Sequence, residues 1–246
     1  MMNTNTSSLP DCVTAIVTAA GKGKRLPGKV KKQYLELNGH PVLAWTLHRF
    51  CAHPSISRVL LVVPEDDREW VGKNIVQKYG LGKVEQLLPG GEERQDSIGN
   101  ALPAIGHQCK WVLVHDGVRP FVTPQEIDHV LLAAKKSGCA VLATPVSETI
   151  KKVNGTVVEK TVDRKRYWLA QTPQVFERGL FMEAYENAVE EGFLGTDDAS
   201  LAERTGAAVT VVEGSRLNLK ITVPDDLLLA QAIFPQYFNG NELREQ

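Results

Sequence analysis

No run in this chain is apolar for long enough to span a membrane. Charge of one sign is also missing. Its 28 Lys and Arg stand against 29 Asp and Glu, a formal net charge of -1, so no global field gathers nucleic acid or an anionic membrane. The four cysteines, Cys12, Cys51, Cys109 and Cys139, sit far apart and mostly in apolar segments. That spacing argues for reduced core thiols and against a metal centre or a disulfide framework. Residues 1–10 are polar and lack the apolar core of a secretory signal, so the expected compartment is the cytoplasm. There is no internal repeat and no low-complexity linker. Of the six histidines only His115 stands near a candidate site, and it reads as a neutral residue at the edge of the core rather than a general base.

What is present is an ordinary packed chain, 43% apolar over 246 residues. Strand-like apolar runs cover 13–18, 59–63, 83–88, 111–115, 140–143 and 209–212. Helical patterns cover 41–53, 66–79, 97–105, 124–137, 178–191 and 224–233. Strands separated by helices predict an α/β fold with a mostly parallel, helix-covered sheet. The rhythm breaks over 146–171. Two β-type runs there flank Asn154-Gly155, a strong hairpin signal. A two-stranded ribbon is marginal alone, so an arm at about 147–172 is expected to lie against a second subunit. The whole reads as one domain over 1–237, with a fraying polar tail at 238–246.

The richest segment follows the first strand: Ala19-Ala20-Gly21-Lys22-Gly23-Lys24-Arg25, then Lys29, Lys31 and Lys32. Glycines let backbone N–H groups approach phosphate oxygens, and the cations answer the charge of a triphosphate. It is not a dinucleotide fingerprint, because Leu26 stands where the third glycine belongs and Pro27-Gly28 interrupts the helix that should begin there. No Gly-Lys-Ser/Thr follows at Walker spacing. A lysine-rich surface turn is the plain alternative, but α/β sheets place ligands directly after such buried strands.

Asp116 closes another buried strand and precedes Gly117-Val118-Arg119-Pro120. A lone carboxylate with phosphate oxygens is a usual way to hold Mg²⁺; a turn aspartate paired with Arg119 fits the same residues. In Gly90-Gly91-Glu92-Glu93-Arg94-Gln95-Asp96-Ser97 the glycines allow a base or ribose close to the backbone, and Ser97 can read a base edge. A turn followed by a capped helix fits equally well. Lys220, in an apolar-polar alternation, reads as a solvent-facing strand residue until something else places it. Asp225-Asp226 and Thr196-Asp197-Asp198 read as helix-start chemistry.

Taken in order, these motifs, with Lys32-Gln33-Tyr34, Thr161-Val162-Asp163-Arg164, Gln171-Thr172-Pro173-Gln174 and Asn218-Leu219-Lys220-Ile221-Thr222, resemble one family. It is the 2-C-methyl-D-erythritol 4-phosphate cytidylyltransferases of non-mevalonate isoprenoid synthesis, matched over about residues 14–232. The resemblance implies a Rossmann-like nucleotidyltransferase that joins CMP from CTP to the sugar phosphate and releases pyrophosphate. It implies that Arg25 and Lys32 bind the triphosphate and stabilise the transition state, and that Asp116 holds Mg²⁺. Ala19, Ala20, Gly21, Gly23, Gly91, Ser97 and Arg119 would line the nucleotide site. Lys220 would contact the reacting phosphates, with Thr172 nearby. Thr149 and Arg164 would bind sugar phosphate in the active site of the other subunit of a homodimer. Two positions depart from the family pattern: Thr18 and Lys31 stand where proline is common. The second leaves Lys31 beside Lys32 as a candidate catalytic cation, although Gln33-Tyr34 favours Lys32. Ribitol 5-phosphate cytidylyltransferase is the nearest rival, and a catalytically silent nucleotide-binding regulator a more distant one.

Overall fold

In the computed structural model, residues 11–21, 30–239, 242, 243 and 245 are described. The strand β1 (Cys12–Thr18) lies near the centre of a seven-stranded sheet. Its side chains alternate between faces. Ala15 and Val17 enter one apolar cluster and Ile16 the other, and all are fully buried.

A short hairpin, β2 (Glu36–Leu37) and β3 (His40–Pro41), leads into α1 (Val42–Ala52). Then come β4 (Arg58–Val63), α2 (Arg68–Val71) continued by a π-helical stretch Gly72–Gln77, β5 (Val84–Pro89) and α3 (Arg94–Gly99). They are followed by β6 (Cys109–Asp116), α4 (Pro124–Ser137) and β7 (Cys139–Pro145). The arm is β8 (Ile150–Asn154) and β9 (Val157–Val162). The chain returns through β10 (Trp168–Glu177), α5 (Arg178–Glu190), α6 (Asp198–Arg204), β11 (Thr210–Glu213) and α7 (Pro224–Tyr237). The sheet order is β11-β7-β10-β6-β1-β4-β5. All neighbours are parallel except β10, which runs antiparallel to both β6 and β7. One face packs on Trp45, Phe50, Phe121 and Phe234, the other on Phe176, Phe181 and Tyr185.

The α/β alternation is as the sequence predicts, with three departures. The strand β10 lies centrally although it contains Pro173, a residue that normally argues against a central strand. Its register shifts between Ala170 and Gln174, so the proline falls in the irregularity and breaks no regular ladder bond. The helix expected over 97–105 instead begins at Arg94, behind a capping box of Glu93 and Asp96, and ends at Gly99. A separate 3-10 turn covers Leu102–Ala104; Pro103 has no N–H for a continuing α-helix and disfavours α conformation before it. The seven-residue α6 is too short for periodicity to announce.

In the arm, Asn154 pairs with Val157, so the hairpin loop is Gly155-Thr156, with Gly155 at φ 58°. The ribbon forms its own two-stranded sheet. At the other end, Phe238 and Leu243 are buried against the first apolar face and Arg49 lies over the Phe238 ring, so these residues of the expected fraying tail are docked.

Candidate active site

Parallel register brings three loops together. Thr18 pairs with Asp116 across β1 and β6, and Gly117 N–H donates to the Thr18 carbonyl at 2.8 Å. Gly90 N–H donates to the Val63 carbonyl at 2.8 Å, which lays the Gly90-Gly91 segment beside the β1 loop. A cavity of about 450 Å³ opens where they meet, at the carboxyl edge of the sheet. Ala19, Ala20 and Gly21 form one wall and Gly91 and Ser97 another; its charged lining is Lys32, Arg94 and Lys220 with the acids Glu92, Glu93 and Asp116.

The glycines are required by packing. A Cβ on Gly90 would overlap Ala20 Cβ, and one on Gly91 would overlap Asp96 Cβ. Ser97 is 4% exposed, and its hydroxyl is engaged within the loop: it accepts from Gly91 N–H and donates to the Glu93 carbonyl, both at 3.0 Å. Ser97 therefore shapes the Gly91 turn directly.

Asp116 is the electrostatic centre. Its Oδ2 lies 3.0 Å from Arg119 Nε and 3.0 Å from Lys220 Nζ, and its Oδ1 lies 3.6 Å from Arg94 Nε. Burial pushes this carboxyl up, but Lys220, Arg94 and Arg119 outweigh it and hold the group well below the usual carboxylate range. Thr172 stands behind it: the Thr172 hydroxyl accepts from Asp116 N–H at 3.0 Å, and its carbonyl accepts from Asn218 at 2.9 Å. Thr172 is 4% exposed and lies beneath the cavity rather than along it. Arg119 also donates to the Asn218 carbonyl at 2.8 Å and faces a second cavity of about 300 Å³. His115, fully buried, is pulled down to about 4 by burial and is neutral near pH 7. Its Nε2 meets the Arg119 carbonyl at 3.0 Å.

Lys31 and Lys32 separate in space. Lys31 Nζ lies 2.6 Å from Asp67 Oδ2, and Tyr34 donates to the same oxygen at 2.8 Å. Lys32 lines the cavity, with its Cε over Gly21. Gln33 anchors this segment by donating to the Ala19 carbonyl at 2.8 Å. Gly23 and Arg25 lie outside the described residues. Thr149 and Arg164 are exposed near the ends of the arm, away from this cavity. Arg164 donates to the Ser147 carbonyl.

Sequence reasoning assigned nothing to Arg94, which lies three residues before Ser97 in the same short helix and lines the cavity. It also left Asp198 as helix-start chemistry. Asp197 is the cap, accepting from Ser200 N–H at 3.0 Å, whereas the Asp198 side chain is buried and accepts from Arg94 at 2.8 Å and from Tyr185 at 2.6 Å. Among the described residues no group of three or more His, Cys, Asp or Glu is arranged to hold a metal. Among them, too, no helix is long and apolar enough to cross a membrane.

Residues 13–236 match the family model for IspD, 2-C-methyl-D-erythritol 4-phosphate cytidylyltransferase. A curated relative of that name from Syntrophus aciditrophicus is 49% identical over 221 residues, covering 89% of this chain and 94% of the relative. One from Alkaliphilus metalliredigens is 42% identical over 231 residues, covering 94% and 96%. Among solved structures, 4-diphosphocytidyl-2C-methyl-D-erythritol synthase from Anaerococcus prevotii superposes with a TM-score of 0.80 at 31% identity, over 92% of this chain and 99% of that one. The Thermus thermophilus cytidylyltransferase gives 0.74 at 34% identity, over 89% and 98%.

Proposed function

The chain belongs to the 2-C-methyl-D-erythritol 4-phosphate cytidylyltransferase family, and from that premise we propose how its cavity transfers CMP from CTP to methylerythritol phosphate. The observation that carries the reading is the meeting of Lys32, Arg94, Lys220 and Asp116 in one cavity at the carboxyl edge of the sheet.

The nucleophile is a phosphate oxygen, largely ionised near neutral pH. It needs no general base, which agrees with a neutral, buried His115. The obstacle is charge: a dianion must approach a polyanion while the α-phosphorus gathers more negative charge. Fixed cations and positioning supply most of the catalysis in such transfers. Cytosine would lie between the Ala19–Gly21 wall and Gly91, in the turn that Ser97 shapes. The triphosphate would run toward Lys32, and the resemblance assigns Gly23 and Arg25, outside the described residues, to the same phosphates. Lys220 would meet the reacting phosphates, and Arg119 would steady Asp116 beside them.

The donor set fits Mg²⁺. Among the described residues, Arg119 Nε and Lys220 Nζ stand 3.0 Å from Asp116 Oδ2 and Arg94 Nε stands 3.6 Å from Oδ1, so this hard carboxylate would be the residue to hold the metal beside the nucleotide's phosphates. When bound there, Mg²⁺ supplies neutralisation of the leaving pyrophosphate.

The arm exposes Val153, Val157 and Val158 on a two-stranded ribbon that, among the described residues, has no further strand beside it. Packing it on a second subunit would cover those valines and carry Thr149 and Arg164 toward the neighbour's sugar-phosphate site. That completes a cytoplasmic homodimer with shared sites.

The test is pyrophosphate release from CTP with methylerythritol 4-phosphate or ribitol 5-phosphate, with and without Mg²⁺. Turnover with the first substrate and dependence on Mg²⁺ are expected. Preference for ribitol 5-phosphate would overturn the substrate reading, and undiminished turnover without divalent cation would overturn the metal role.

A further inference from the structure

The buried carboxylate of Asp198 has no part in the chemistry above, yet it reaches the centre of the site through one residue. Arg94 Nη2 donates to Asp198 Oδ2 at 2.8 Å, while Arg94 Nε stands 3.6 Å from Asp116 Oδ1. The other Asp198 oxygen accepts from the buried Tyr185 hydroxyl at 2.6 Å. The Asp198 side chain is 1% exposed and that of Arg94 28%, so the cation faces the cavity and its anchor does not.

Two carboxylates therefore compete for one guanidinium, and Asp198 holds the short contact. A guanidinium freed from Asp198 has every electrostatic reason to fold onto Asp116, because a bidentate arginine–carboxylate pair is the strongest arrangement open to both. That collapse would shorten the 3.6 Å approach of Arg94 to Asp116 Oδ1 into a direct pair and would turn Arg94 away from an incoming phosphate. We propose that Asp198, pinned by Tyr185, is a positioning residue that restrains Arg94, keeping the guanidinium off Asp116 Oδ1 and turned into the nucleotide cavity. The role rests on the cytidylyltransferase reading given above.

The restraint makes an epistatic prediction that general damage to the fold does not. Asp198→Asn keeps the shape and removes the charge. It should lower kcat by about 10²-fold, the scale of an ångström-sized misplacement in a site; breaking a buried pair also lowers the melting temperature, so turnover is compared among variants shown to be folded. Tyr185→Phe removes only the hydroxyl and should act in the same direction more weakly. In an Arg94→Gln background there is no guanidinium to restrain, so adding Asp198→Asn should cost nearly nothing further. The same cycle is read on CTP binding by titration calorimetry. Wild-type turnover is the control: if the wild type releases no pyrophosphate, the functional reading fails, and the binding cycle alone decides the restraint. Non-additive losses in whichever cycle is read support it. Multiplicative losses, or wild-type behaviour of folded Asp198→Asn, overturn it.

Discussion

Lys31 Nζ and Asp67 Oδ2 are 2.6 Å apart, and that ion pair separates two adjacent lysines that the sequence leaves as rivals. Lys31 is engaged with Asp67 and, through the shared oxygen, with Tyr34. Lys32 turns the opposite way, to the cavity wall over Gly21. Loss of one well-placed charge contact in a dry site costs about 10²–10³ in kcat. Lys32→Ala is expected to lose that much in pyrophosphate release while its melting curve stays close to wild type. Lys31→Ala should turn over almost normally and lose no more than about 1 kcal/mol of stability, as partly exposed pairs do. The reverse ranking would exchange their roles.

Gly90 and Ala20 define how closely two site loops approach. A methyl group on Gly90 would overlap Ala20 Cβ. Gly90→Ala should therefore destabilise the fold by about 1–3 kcal/mol, as overpacking does, and weaken CTP binding. Ala20→Gly added to it removes the overlap, since the remaining neighbours are Ser97 Oγ at 3.4 Å and Ala20 Cα at 3.6 Å. Denaturant melts of the single and double variants check this; no recovery in the double variant would place the damage elsewhere.

Arg164 is exposed in its own subunit. If it serves the neighbour, Arg164→Ala should weaken sugar-phosphate binding and leave CTP affinity unchanged. Heterodimers of Arg164→Ala with Lys32→Ala subunits should then regain activity, because one of their two sites is intact. Verified heterodimers that stay inactive would confine Arg164 to its own subunit.

His115 predicts a pH dependence of stability. An unfolded histidine takes up a proton near 6.5, whereas the buried ring resists until about 4. Between these values the unfolded chain binds more protons, so stability is full above about pH 6.5 and falls as pH drops toward 4. His115 alone contributes on the order of 3 kcal/mol across that window, from the gap between 6.5 and about 4. His48, also held down by burial, acts with the same sign. Asp116, held below the carboxylate range, withdraws its contribution only at more acidic pH. Denaturation between pH 4.5 and 7 should show the slope, and His115→Gln should flatten it. An unchanged slope in that variant would assign it to other groups.

The parallel strands were legible because a strand buried on both faces is written as a local apolar run, as in β1 and β6. The arm was legible from Asn154-Gly155, although pairing moved its loop one residue onward. The strand β10 was not, because Pro173 is compatible with a central strand only where neighbouring strands let the register slip. The Asp116 cluster was partly legible. Arg119 lies within one turn of it, but Lys220 and Arg94 come from distant segments, and nothing local in a sequence records which carboxylate a long cation will reach.

By itself the sequence determined the alternation of strands and helices, the glycine-rich loop with its lysines, and the family, because each is written in short-range pattern and composition. Only the tertiary structure decided which lysine faces the cavity, that Ser97 is engaged with its own loop, and that Arg94 stands between Asp116 and Asp198. Those outcomes depend on directional contacts between side chains brought together by sheet register and helix packing, and such contacts have no period along the chain.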